Sequence, residues 1–543
     1  MEFHINMTGR CAVASDSHAY VRGTAFIGSD TSTPLNLLGY FDRIESEYEF
    51  RSSMILLNGF FAVVCNKGSV LLAGVDRIRS IPLFYGATGD EFYISDDASW
   101  VQTKVGSFQR SELSEREFCM TGYVTGSETL YPGVKQLRAG ELLVAKTADG
   151  LVQFSTERYF DFVGRPETSS DAETLSHELD ALLIRCFERL LRLADGRTLV
   201  VPLSGGYDSR LIVLMLKRLG YENVVAFTYG RPGNTESEIS KQVAKRLDIP
   251  WQFVPYSNEL WWQWFRTEER EAYYAMAHHA VSVPHLQDWP AVWELKRRGL
   301  VAEDSVFVPG HAADMISGSH IPEAFVKARQ VSHEQLVEQI FKKHYSLVRV
   351  PRGKDLIFLD EMKGRITSAL CAPDCLVPDV AVRLSENWNW QERQAKFIAN
   401  SVRVYEFWGY DWWLPFWDQE MFDFWARVPL EHRIGQRLYI AYVKKLTAET
   451  LGDKSVSALV TDRELSTSRL KEFIRMTPLR GFAKWVYRKL KTSNYEYENH
   501  PRAWYGIMSR EVFRRYHVDR YESINSFLAM DILGAIDLMD SGS

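Results

Sequence analysis

Residues Leu199 to Leu203 form an apolar run that stops at Ser204-Gly205-Gly206-Tyr207-Asp208-Ser209. A helical pattern follows at once, carried by Leu211, Ile212, Leu214, Met215, Leu216 and Leu219. Strand, glycine turn and helix in that order leave backbone N–H groups free at a helix N-terminus, a nest that binds phosphate-type anions. Gly205 and Gly206 let the main chain approach such oxygens with no Cβ in the way. Ser204 and Ser209 add hydroxyl donors. Asp208 cannot hold a phosphate itself, but beside one it is a natural ligand for a bridging Mg2+. The order differs from G-x-x-x-x-G-K-[ST], so this is not a kinase-type phosphate loop. Ser-Gly-Gly-x-Asp-Ser directly after a buried strand also argues against a turn that merely needs glycine.

The surroundings of this loop predict an α/β fold. From Ser170 the apolar period is helical, through Leu175, Leu179, Leu182, Leu183, Cys186, Leu190 and Leu191, behind a capping-box pattern Ser170-x-x-Glu173. Strands are expected at Thr198–Leu203, Val224–Thr228, Trp251–Val254 and Val306–Pro309. Helices are expected after Thr235-x-x-Glu238 and over Ala291–Arg298. Alternation of this kind predicts a parallel, doubly wound sheet whose ligands sit at the carboxyl ends of its strands, where Ser204 and Gly310 both fall. Beyond about residue 330 the pattern is mostly helical. The first 165 residues read instead as strands and turns, with a hairpin around Asp149-Gly150. Gly164-Arg165-Pro166 breaks the pattern, giving expected domains 1–165 and 166–543.

Composition narrows the class. At 46% hydrophobic and 25% charged residues the chain is an ordinary globular one, and its net charge of -6 gives no general attraction to nucleic acid. No stretch is long and apolar enough to predict a spanning helix, and no secretory leader pattern opens the chain. Six cysteines in 543 residues do not make a disulfide framework. A cytoplasmic location is expected. Cys371-x-x-x-Cys375 has no second pair beside it and reads as a loop. His278, His279, His285, His311 and His320 lack the H-E-x-x-H spacing of a zinc site. Arg480 to Lys491 is a basic amphipathic segment, read as a solvated helix face rather than a membrane contact.

Four motifs together are similar to those of the asparagine synthetase B superfamily, which includes β-lactam synthetases and lasso-peptide cyclases. Ser204 to Ser209 resembles the pyrophosphate loop of enzymes that cleave ATP between its α and β phosphates. Ala226-Phe227-Thr228-Tyr229-Gly230, followed by Glu236 and Glu238, resembles the strand whose backbone receives adenine. Val308-Pro309-Gly310-His311-Ala312-Ala313-Asp314 resembles S-G-E-G-A-D-E. Gly409 to Asp418 resembles G-L-E-V-R-V-P-F-L-D, with Trp413 in place of the arginine. In the first domain, Leu57-Asn58-Gly59-Phe60-Phe61-Ala62, Asp76 to Tyr85 and Glu157 to Asp161 resemble a shortened amidotransferase half.

The resemblance implies a shortened α+β domain of the N-terminal-nucleophile amidotransferase type, then an ATP-pyrophosphatase domain with a mostly helical C-terminal part. It implies an AMP-forming, ATP-dependent amide ligase that activates a carboxylate as an acyl-adenylate. ATP would be held by Leu203, Ser204, Gly205, Gly206, Asp208, Ser209, Thr228, Pro309 and Gly310, and Mg2+ by Asp208 and Asp314. His311 stands where the family has a glutamate near the reacting nitrogen, and is the candidate base. Glu392 is a candidate supporting acid. The late cation on pyrophosphate is Arg463, with Lys454 and Arg469 as alternatives.

The segment Val283 to Trp289, with Gly310 to His320, resembles relatives from polysaccharide clusters, so the expected acid is a sugar uronate or similar carboxylate rather than aspartate. Trp408, Trp412, Trp413 and Trp417 are candidate sugar-stacking faces, with core packing the expected role for at least half of them. Met1 is followed by Glu2, and Cys11 is internal, so glutaminase activity is expected to be absent. The nitrogen would come as free ammonia, from a separate ammonia source, or as a substrate amine. The oligomeric state stays open, a homodimer among the options. Other readings are an amide-forming cyclase acting on an intramolecular amine and a non-catalytic pseudo-synthetase.

Overall fold

The computed structural model describes residues 2–8, 11–13, 19–28, 30–148, 151–163, 171–348, 354–370, 372–452, 494–517 and 523–538. Its first part is built in layers. One sheet runs Leu151–Arg158, Glu141–Ala148, Val70–Val75, Asn58–Asn66, Ala19–Ile27 and Cys11–Val13 in that spatial order, with Asp30–Ser32 also paired to Ala19–Ile27. A second sheet orders Glu2–Asn6, Glu91–Ser95, Phe84–Thr88 and Lys135–Gln136, its first pair parallel. Strand Asn58–Asn66 shows how the sequence builds this stack. Ala62 and Val64 point into the core between the sheets, with Leu83, Phe92 and Ile94. Phe61, Val63 and Cys65 point the other way, onto helices Pro34–Asp42 and Glu47–Leu56. A period of two with both faces buried gives the near-continuous apolar run seen in the sequence. Helix Ala98–Val105 covers the outer face of the smaller sheet.

The helices here correct the expectation of strands and turns alone: Pro34–Asp42, Glu47–Leu56, Ala98–Val105 and Glu112–Thr121 all fall within it. Each begins at a side-chain cap, Thr33, Ser46, Asp97 and Ser111 respectively. The expected hairpin is present, pairing Ala148 with Leu151, and its turn residues Asp149 and Gly150 lie outside the described residues.

The second part opens with α1 (Ala172–Ala194), capped by Asp171, whose carboxylate accepts from the Glu173 and Thr174 N–H groups. Ser170 lies outside the described residues. The chain then forms β1 (Leu199–Pro202), α2 (Tyr207–Arg218), β2 (Val224–Gly230), α3 (Thr235–Leu247) and β3 (Trp251–Pro255). Asn234, not Thr235, caps α3. After a helical excursion come β4 (Val306–Phe307) and β5 (Asp411–Trp412). All five strands are parallel, in the order β3-β2-β1-β4-β5. Strand order reverses between β1 and β4, which opens a crevice beyond their carboxyl ends. The short β5, at the matched Gly409 to Asp418 motif, was not expected as a strand.

Beyond β4 the chain is mostly helical, as expected. Helix Pro378–Asn389 continues into a π-helical stretch, Trp390–Ile398, a form that recurs at functional sites. The two parts share one packed core: Phe60 lies 4.6 Å from the Trp413 ring and 5.2 Å from Trp412. Trp413 and Trp417 are buried, so they are core rather than sugar-stacking faces. Trp412 is tied by its indole N–H to Glu406, and Trp408 stacks on Trp293.

Candidate active site

The loop after β1 folds on its own hydroxyls. The Ser204 N–H donates to Ser209 Oγ at 3.0 Å, and the Gly206 N–H donates to Ser204 Oγ at 3.2 Å. Gly206 stands at the N-cap of α2 and supplies no side-chain cap. The first turn of the helix therefore presents its positive end and unsatisfied N–H groups into the crevice. Leu203 is an anchor: its N–H bonds to Phe227 O, and its carbonyl accepts from the Thr228 hydroxyl. Thr228 is buried and its hydroxyl also meets Ser240, so that hydroxyl is not left for a ligand.

The segment after β4 closes against this loop. Val308 N–H bonds to Val200 O, extending the β1–β4 pairing toward the buried Pro309. A Cβ on Gly310 would sit 2.9 Å from Ser209 N and 3.0 Å from Asp208 Cβ, so only glycine lets the two segments meet. Ala312 then takes a left-handed conformation, φ 78°, which turns the chain into the short helix Ala313–Ile316 and positions Asp314. A non-glycine residue held there stores strain.

Asp208 and Asp314 are thus brought into charge contact from separate strand ends. Loss of water around Asp208, and then the Asp314 charge, raise its carboxyl from 3.8 to about 7, against the Tyr439 hydroxyl that donates to it at 2.8 Å. Asp314 Oδ1 accepts from the Met315 N–H at 2.8 Å, and its Oδ2 lies 3.7 Å from His320 Nε2. A carboxyl such as Asp208 that resists ionisation beside a second acid suits a cation. Among the described residues no three His, Cys, Asp or Glu side chains converge as a metal cluster. Two carboxylates completed by phosphate oxygens and water fit Mg2+ better than zinc.

The five histidines have different hydrogen-bond or stacking partners. His278 Nδ1 accepts from Ala280 N–H, His279 stacks on Phe84, His285 lies 3.1 Å from Asp288, and His320 meets Asn389. His311 Nε2 lies 2.8 Å from Ser401 Oγ. Burial, with the nearby His285, pushes His311 from 6.5 down to about 4. This corrects the expectation of a base titrating near neutrality: His311 is a neutral imidazole at pH 7.

Glu392 has no place in this crevice. It is fully buried in the π-helical stretch, ion-paired with Lys396 at 2.6 Å and accepting from the Gly126 N–H at 2.9 Å. Its carboxylate ties the helical part to the first part of the chain, which corrects the reading of Glu392 as a supporting acid. Asp418, from the Pro-Phe motif, is also structural. It takes two hydrogen bonds from Arg189 and one from Asn58, and caps helix Gln419–Arg427. Arg463, Lys454 and Arg469 lie outside the described residues, as do Arg480 to Lys491 and Cys371. The sequence reading missed Tyr439, Gln436 and Lys343. Gln436 reaches Ser317 Oγ at 2.8 Å, and Lys343, pushed by burial down to about 8, has Asp314 within charge range. They come from helices with no motif, and only the fold brings them in.

Residues 178–263 match the family model of asparagine synthase. This segment resembles an asparagine synthase domain. The match runs from within α1 through β3 and contains the whole Ser204 to Ser209 loop. No curated protein matches the chain by sequence. Among solved structures it is similar to the NH3-dependent NAD synthetase from Campylobacter jejuni at 14% identity, covering 28% of this chain and 61% of that one, TM-score 0.19. A glutamine phosphoribosylpyrophosphate amidotransferase from B. subtilis follows at 11% identity, 55% and 62% coverage, TM-score 0.18. A structure described as the allosteric regulatory enzyme of purine biosynthesis gives 12% identity, 45% and 61% coverage, TM-score 0.18. The chain spans less than two thirds of each of these structures.

Proposed function

We propose that the chain is an ATP-dependent amide ligase. It activates a carboxylate as an acyl-adenylate and passes the acyl group to ammonia or an amine. The observation that carries this reading is the open N-terminus of α2 facing Asp208 and Asp314 at the switch point of the sheet, beside a segment that resembles an asparagine synthase domain. A carboxylate lacks a good leaving group. Its oxygen attacks the ATP α-phosphorus, the bond to the β-phosphate bridging oxygen breaks, and pyrophosphate leaves. The nitrogen then attacks the acyl carbon and AMP departs. The N–H groups of the first turn of α2, with the Ser204 and Ser209 hydroxyls, hold the departing pyrophosphate, a charge that grows through the step. Asp208 and Asp314 would hold Mg2+, which when bound neutralises phosphate charge. His311, neutral and hydrogen-bonded to Ser401, accepts a proton from the attacking nitrogen.

In this reading residues 1–165 are a degenerate amidotransferase-like scaffold for the synthetase part, 166–543. Its matched motifs are spent on structure. Asn58 bonds Asp418 and Gln419, and Asp76 collects the N–H groups of Phe61, Ile78 and Ser80. The nitrogen is accordingly expected from free ammonia, a separate ammonia source or a substrate amine. Exchange of labelled pyrophosphate into ATP, run with a panel of carboxylates, tests the reading. Acid-dependent exchange supports it. Absence of exchange with every acid would favour a binding protein that no longer catalyses.

A further inference from the structure

A cavity of about 230 Å3 opens beyond the carboxyl ends of β2 and β3. Gln287 on its wall donates to the Tyr229 hydroxyl at 2.7 Å, and Tyr256, just after β3, donates to Gln287 O at 3.0 Å. Two charge interactions lead from the cavity toward the segment after β4 that carries Asp314. His285 lines it and lies within charge range of His311. Arg393 lines it and lies within charge range of His320, itself 3.7 Å from Asp314.

The wall is unlike the packed core around it. Trp261, Phe397 and Trp504 make flat apolar faces, and the Trp504 ring is held by stacking on His500 at 4.6 Å. Between them stand polar groups without protein partners. The half-buried Arg393 guanidinium has no hydrogen bond or ion pair among the described residues, and neither has the Asn525 amide. Among the described residues the Trp504 indole N–H has no acceptor, and the Gln287 side-chain carbonyl oxygen accepts nothing. Unpaired polar groups in a partly dry cavity cost free energy until a ligand satisfies them.

We propose that this cavity is the acceptor-acid site and that its ligand is a hydroxylated ring bearing a carboxylate, with the Arg393 guanidinium on the acid. The proposal rests on the ligase reading above and names the substrate class for it. A ring face packs on Trp504, the carboxylate pairs with Arg393, and hydroxyls satisfy Asn525 and Gln287. A plain aromatic or alicyclic acid would pair Arg393 but leave the two amides unmet, at about tenfold in affinity for each. A neutral sugar would leave the arginine unmet.

The test is a binding titration followed by tryptophan fluorescence, on the full chain, with D-glucuronate, D-galacturonate and D-mannuronate as probes. D-Glucose and cyclohexanecarboxylate are the controls. The expected result is that the best hexuronate binds at least tenfold tighter than either control. Arg393→Gln should weaken it at least tenfold, Arg393→Lys should recover part of that loss, and both variants should keep the wild-type affinity for ATP. Hexuronates that bind no tighter than glucose, or that bind Arg393→Gln as well as the wild type, overturn the proposal. Asp208→Asn separates this from the ligase reading, because it should lose pyrophosphate exchange and keep hexuronate binding. Hexuronate binding of the expected pattern with no hexuronate-dependent exchange by the wild type would retain the cavity as an acid site and sink the ligase reading.

Discussion

Asp208→Asn should make the ligand-free protein more stable while abolishing its chemistry. The Asp208 carboxyl is pushed from 3.8 up to about 7, by loss of water and then by the Asp314 charge. That is roughly three pH units at about 1.36 kcal/mol each, or up to about 4 kcal/mol against the ionised form above pH 7. The side chain is partly exposed at the loop mouth, and solvent screening reduces the figure to about 2 kcal/mol. The direction follows from the folded value lying above the unfolded one. Below pH 4 both states hold the proton and nothing is lost. Between pH 4 and 7 the unfolded chain ionises first, so stability falls as pH rises, and above pH 7 the whole cost is present. Asparagine keeps an oxygen for Tyr439 and carries no charge. Thermal unfolding without metal or nucleotide should therefore rise by several degrees at pH 8, at about 2–4 °C per kcal/mol for a domain of a few hundred residues. The gain should shrink to less than half at pH 5. Mg2+ with ATP should stabilise the wild type far more than the variant. An asparagine variant less stable than the wild type at pH 8, or a gain unchanged by pH, would refute the strained acid pair.

Three further outcomes follow from the same geometry. Gly310→Ala places a Cβ 2.9 Å from Ser209 N, a main-chain atom that cannot swing aside. The expected cost is about 1–3 kcal/mol, read as a 5- to 150-fold loss in pyrophosphate exchange with the fold retained by circular dichroism. Asp418→Ala strips the buried Arg189 of a two-point partner, and denaturant unfolding should show a loss of about 3 kcal/mol. With His311 down at about 4, the rate between pH 5.5 and 8 should carry no inflection near 6.5 from this residue. A limb at 6.5 that vanishes in His311→Gln would contradict its burial.

The sheet was legible because its strands are buried on both faces and its turns carry glycine. Leu199 to Leu203 and Val224 to Thr228 read as strands from apolar content alone, and β1 and β2 lie there. The pairing of Asp208 with Asp314 was legible only through the two motifs, since no local pattern joins residues so far apart. Glu392 was misread as a supporting acid because residue type alone does not show burial, whereas its pairing with Lys396 and the Gly126 N–H decides its use. His311 was misread for a related reason: residue type sets an ordinary pKa near 6.5, and only packing reveals the drop. The Ser46-x-x-Glu49 signal was present ahead of Glu47–Leu56, but the apolar run from Met54 masked the helix end at Leu56. Tyr439 and Arg393 had no signal at all; a tyrosine or arginine on a helix acquires meaning only from what the fold sets opposite it.

The central claim is that the acid's own oxygen attacks the α-phosphorus of ATP. The most direct test uses the best-bound carboxylate labelled with 18O, with ATP, Mg2+ and ammonium, and follows the phosphorus products by 31P NMR. The account predicts AMP carrying one labelled oxygen from the acid, unlabelled pyrophosphate, and loss of both products in Asp208→Asn. Label appearing in inorganic phosphate, with ADP as the second product, would mean attack at the γ-phosphorus and would contradict it.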